Sequence, residues 1–66
     1  MDKHDAIASQ WQNVRERLRD TWGRLTEDDL AVENGNRDYV VAKVQAHYGY
    51  TREEAESLVR DFEHTL

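Results

Sequence analysis

The sequence predicts an all-α protein: a single small domain of four helices. Three observations carry the prediction. Large apolar residues recur at helical spacing along the whole chain, and glycines or capping residues bound each such stretch. No stretch alternates apolar and polar residues as a half-buried strand does. With 66 residues, the chain is near the lower size limit for a domain that folds alone.

The first helix is expected from residue 5 or 6 to residue 22. With 100° per residue, Ile7, Val14, Leu18, Trp22 and Leu25 fall within about 60° of Trp11, while Asn13, Glu16, Arg17, Asp20 and Arg24 lie opposite. Gly23 is expected to stop this helix in the left-handed conformation, which costs glycine no Cβ clash. Thr26 then caps a short second helix, residues 27–33. Glu27, Asp28 and Asp29 complement the positive end of its dipole, and Leu25 and Leu30 are placed to staple the entry. Asn34 and Gly35 end it.

Asn36 caps a third helix, residues 37–48, whose stripe is Val40, Val41, Val44 and Tyr48. Its valines lower helix propensity, so this helix depends on packing. Gly49 stops it. Thr51 and Glu54 form a capping box for the last helix, which carries Ala55, Leu58, Val59, Phe62 and Leu66 on one face. Tyr50, between the stop and the cap, is expected to pack back on Val44 and forward on Ala55, so that Tyr50→Ala costs roughly 3 kcal/mol if the ring is largely buried. The expected core is Trp11, Val14, Leu18, Trp22, Leu25, Leu30, Val40, Val44, Tyr48, Tyr50, Leu58, Val59 and Phe62. Residues 1–5 are expected to fray.

Composition excludes several classes of function. There is no cysteine, so there is no disulfide frame, thiolate zinc site or thiol redox centre. The longest apolar run, residues 39–42, is far too short for a membrane span or the core of a signal peptide. Mean hydropathy is −1.00, and a core from so short a chain supplies only about 3–5 kcal/mol net. Caps and the few aromatics must therefore carry much of the stability.

The candidate chemical groups read mainly as structural. Glu27, Asp28, Asp29, Glu53, Glu54 and Glu56 sit where helix N-termini favour acids and lack calcium-loop spacing. His4, His47 and His64 share no ligand spacing, and His47 falls at the edge of the third helix's stripe. Ser9 and Ser57 have no histidine at local spacing, and no glycine-rich phosphate loop is present. Arg15, Arg17, Arg19 and Arg24 raise nucleic-acid binding. Yet residues 1–25 hold five basic and four acidic groups (+1), and residues 26–66 hold four and ten (−6), giving −5 overall. Affinity for phosphates needs a net basic face, so this balance argues against it. Trp11 and Trp22 share one stripe and are read as core, with a binding surface as the alternative.

Trp11, the run Trp22-Gly23-Arg24-Leu25-Thr26-Glu27-Asp28-Asp29-Leu30, Gly35, the run Val44-Gln45-Ala46-His47-Tyr48-Gly49-Tyr50, and Ala55 together resemble the CsbD-like family of small bacterial stress-response proteins. The resemblance spans residues 11–62. It implies a four-helix domain of two hairpins packed crosswise, similar to the SAM-domain arrangement. It carries no catalytic or ligand residues. Two positions depart from the family: Glu16 and Ala42 stand where members often have glycine, and each replacement favours helix by up to ~1 kcal/mol.

The resulting expectation is a non-enzymatic cytoplasmic stress-response protein that acts by protein interaction or as a protectant. The alternative is a nucleic-acid-associated or regulatory helical domain using the Arg-rich first helix. No catalytic residue, cofactor or metal is assigned. No membrane partner is expected, and the chain is expected to be a monomer.

Overall fold

Why these residues form helices where they do is clearest at the helix ends. In the computed structural model, which describes residues 6–66, five helices follow one another: α1 (Ala6–Ser9), α2 (Trp11–Thr21), α3 (Glu27–Leu30), α4 (Arg37–Tyr48) and α5 (Arg52–Glu63). No strand occurs among the described residues. The expected fraying at residues 1–5, with His4 and a helix start at Asp5, lies outside them.

The helix count differs from four because the expected first helix is split at Gln10, whose backbone (φ −121°, ψ 28°) leaves helical geometry. Hydrogen bonds bridge the break: the Gln10 amide donates to the Ala6 carbonyl at 3.1 Å, and the Val14 amide to that of Gln10 at 2.8 Å. The bend brings α1 against both α2 and α4 and buries Ile7 completely.

The end of α2 also departs from the expectation. The helix closes on Trp22 (φ −122°, ψ 87°), whose amide still donates to the Leu18 carbonyl at 2.7 Å. Gly23 is not left-handed; Gly49 is the residue with positive φ. Leaving the helix at Trp22 lets its indole enter the core against Phe62, with ring centroids 5.4 Å apart. The turn is then closed by the Leu25 amide on the Trp22 carbonyl at 3.0 Å.

Thr26 begins α3 as expected. Its hydroxyl accepts from the Asp29 amide at 3.1 Å, and the Asp29 carboxylate accepts from the Thr26 amide at 3.0 Å. The helix stops at Leu30, three residues short of the expectation, where distant side chains take up carbonyls at and just beyond its end. Tyr39 Oη donates to the Asp29 carbonyl (2.7 Å), Arg15 Nη1 to Leu30 (3.2 Å) and the Trp11 indole N–H to Val32 (2.7 Å). Helix ends leave carbonyls without partners, and here α2 and α4 supply the missing donors.

The bounds of α4 match the expectation. Asn36 Oδ1 accepts from the Tyr39 amide at 2.8 Å, and Gly49 closes the helix at φ 73°. The start of α5 matches too: Thr51 Oγ1 accepts from the Glu54 amide (3.1 Å) and Glu54 Oε1 from the Thr51 amide (3.0 Å). The core holds Ile7, Trp11, Val14, Leu18, Trp22, Leu25, Leu30, Val40, Val41, Val44, Ala55, Val59 and Phe62. Three expected members are corrected. Tyr48 is half-buried at the margin, and Tyr50 and Leu58 are each 36% exposed. Ala55, Val59 and Phe62 are the buried residues of α5, and Leu58, about 100° round the helix from Val59, is left on the flank.

Candidate interaction surface

Several of the acidic residues at the helix starts are committed. Glu27 accepts from Arg19 at 2.9 Å, and Glu56 is held below its ordinary value by the hydrogen bond from Arg52, also 2.9 Å long. Asp29 does more than cap. Its carboxylate receives the Thr26 amide, the His47 Nε2–H at 2.7 Å and Lys43 Nζ at 3.4 Å, and its side chain is 14% exposed. Because a carboxylate only accepts, the His47 proton on this contact is on Nε2. The Thr26 amide lowers the Asp29 carboxyl most, burial pushes it up next, and His47, the Thr26 hydroxyl and Lys43 add smaller downward pulls, so that it falls from 3.8 to about 2. Asp29 thus pins α3 to α4. The spacing of Lys43 and His47, one helical turn apart, is the signal in the sequence that could have exposed this cluster.

His47 therefore edges the core, as its angular position suggests, while His64 caps the exposed end of α5. Among the described residues, no group of three His, Cys, Asp or Glu could hold a metal ion. Ser9 Oγ donates to the Ala6 carbonyl at 3.3 Å, and Ser57 is exposed.

The arginines do not assemble into one face. Arg15 donates to the Leu30 carbonyl and to Gln12, Arg17 to the Thr65 carbonyl at 3.0 Å, and Arg19 to Glu27. Arg24 lies over the Tyr48 ring, 5.5 Å from its centroid. The tryptophans are core residues. Trp11 is 4% exposed and meets Tyr39 edge-on at 6.3 Å, and Trp22 is buried beside Phe62.

What remains exposed and apolar is a strip around the α4–α5 corner. The Arg24 amide donates to Tyr48 Oη at 3.3 Å while its guanidinium covers the ring. Tyr48 stacks on Tyr50, with centroids 5.6 Å apart and an interplanar angle of 2°. Beyond Tyr50 lies a shallow depression of about 330 Å³ lined by Tyr50, Glu54, Ser57 and Leu58. Two large exposed apolar side chains on adjoining elements, one prearranged by stacking, form the kind of surface that protein contacts use. Local staple logic hides this surface in the sequence, because it assigns Tyr50 inward.

Fold and surface together define a small, acidic, all-helical domain with a Trp-anchored core and an aromatic corner facing solvent. No family model matches the chain, but whole-chain relatives exist. It is 40% identical over 62 residues to the UPF0337 protein PA4738 of Pseudomonas aeruginosa, covering 94% of this chain and 95% of that protein. It is 39% identical to the UPF0337 protein pc0632 of Protochlamydia amoebophila, over 89% of each chain. To the UPF0337 protein YjbJ of Escherichia coli it is 38% identical, over 89% of this chain and 86% of that protein. The chain belongs to the UPF0337 family.

Proposed function

We propose that this chain is a non-enzymatic, cytoplasmic stress-response protein of the CsbD-like group, acting as a monomer through contact with another protein. The observation that carries the reading is the exposed corner formed by Tyr48, Tyr50 and Leu58. Tyr50 and Leu58 flank one shallow depression beside the stacked tyrosine pair, an arrangement whose apolar surface a partner would bury. The CsbD-like resemblance supports the stress role and, for the packing of the helices, a crosswise pair of hairpins.

The test is survival of the source bacterium under osmotic, oxidative and desiccation stress after deletion of the gene. Loss of survival restored by the wild-type chain, but not by a folded Tyr50→Ala/Leu58→Ala variant, is the expected result. Full restoration by that variant overturns the reading, as does a deletion strain with unchanged survival under every stress.

A further inference from the structure

The outer face of α5 carries charge as well as apolar surface. The helix holds five carboxylates against two arginines. Glu53, Glu54, Ser57, Leu58 and Asp61 follow the spacing of one helical face, and all five are exposed. Among the described residues, Glu53, Glu54 and Asp61 enter no ion pair. The two cations of the helix do not balance them. Arg52 is held by Asp38 at 3.1 Å and by Glu56 at 2.9 Å, and Arg60 sits at the edge of this face, about 20° of helix from Glu53 and about 100° from Asp61, as the one cation against three carboxylates. Glu54 serves the Thr51 cap through one oxygen, Oε1. The result is an apolar depression between Tyr50 and Leu58 with an excess of negative charge along its α5 side.

We propose that this face docks a basic amphipathic helix of a partner protein, its apolar side seated on Tyr50 and Leu58 and its Lys or Arg side facing Glu53, Glu54 and Asp61. The inference rests on the protein-contact reading above and names the chemistry of the partner. Charge complementarity selects the occupant. A second copy of this chain brings a net charge of −5 against the same acidic rim, and an acidic or neutral helix leaves the three carboxylates unmatched. Helix-in-groove recognition supplies the apolar anchors, and the carboxylates set orientation and encounter rate.

The probe is a short synthetic amphipathic helix with a Leu face and a Lys face, titrated into the full chain and followed by amide chemical shifts. A matching Leu/Glu peptide and a sequence-scrambled Leu/Lys peptide serve as controls. Saturable shifts at Tyr50, Glu54, Ser57, Leu58 and Asp61 are expected, weakened by salt. Affinity should fall roughly tenfold or more in Tyr50→Ala or Leu58→Ala, with unchanged circular dichroism. Equal binding of the Leu/Glu or scrambled peptide, shifts spread over every acidic residue, or a concentration-dependent dimer formed through this face would overturn the proposal. If the Leu/Lys peptide does not bind while the double variant still fails to restore survival, the basic occupant is wrong and the protein-contact reading stands.

Discussion

Replacing Gly35 with alanine isolates one contact on which the loop between α3 and α4 depends. Gly35 does not adopt a positive φ, so alanine meets no backbone strain there. Its added Cβ, however, would fall under 3.0 Å from Cη2, Cζ2 and Cζ3 of Trp11, closer than real side chains approach. The indole cannot yield cheaply. It is buried, its N–H donates to the Val32 carbonyl at 2.7 Å, and its ring meets Tyr39 edge-on. Moving it loses a hydrogen bond worth about 1 kcal/mol and strains a packed core by about 1–3 kcal/mol. The expected cost is therefore about 2–4 kcal/mol, most of what a domain of this size holds. Urea unfolding followed by circular dichroism and Trp fluorescence measures it. A Trp11→Phe change in the Gly35→Ala background should recover part of the loss, since the smaller ring vacates the disputed volume. An unchanged urea midpoint in Gly35→Ala would refute the close packing of Trp11 on this glycine.

The other glycines give a matched pair: Gly49→Ala should cost about 1 kcal/mol because φ is 73° there, whereas Gly23→Ala should leave the thermal midpoint nearly unchanged, having no positive φ and nothing within 4 Å. Thr51→Ala should cost about 1 kcal/mol and fray the start of α5, measurable by amide exchange at Arg52, Glu53 and Glu54. Asp29 binds its proton at about 2 in the folded chain and near 3.8 when unfolded, so its contribution is complete above about pH 5 and disappears as pH falls toward 2. That contribution is about 2 kcal/mol before solvent screening and about 1 kcal/mol after it. Urea midpoints between pH 6 and 2 should show the loss, and Asp29→Ala should flatten it. Tyr50→Ala should cost less than the roughly 3 kcal/mol of a largely buried ring, about 1–2 kcal/mol, since the residue is 36% exposed, and the urea midpoint measures it.

The parts of the fold legible in the sequence are those governed by neighbouring residues. Asn36, Gly49 and the Thr51–Glu54 box act within one turn of where they stand, and they set the start and end of α4 and the start of α5 correctly. The misread parts are governed by residues far along the chain. α3 ends early, where Trp11, Arg15 and Tyr39 reach carbonyls at and just beyond its end, and no local rule anticipates donors from two other helices. Gly35 reads as a helix stop, yet its structural reason is an indole 24 positions upstream. Gly23 reads as a left-handed cap, but the helix has already ended at Trp22, drawn inward beside Phe62. The candidate surface was hidden for a related reason. Tyr50 satisfies the local pattern of a staple, and only the three-dimensional position of Tyr48 shows that it stacks outward instead. His47 was placed at the core edge by its helical angle, but its partner Asp29 became visible only when α3 folded against α4.

The Tyr48–Tyr50–Leu58 corner is expected to meet another protein in stressed cells. Site-specific photo-crosslinking can catch that contact, with a benzophenone side chain placed at position 58 and, as the contrast, at exposed position 20 on α2. The expected result is a discrete stress-dependent adduct from position 58, absent from position 20 and lost when Tyr50→Ala is added. No adduct from position 58, or the same adducts from both positions, would contradict the claim.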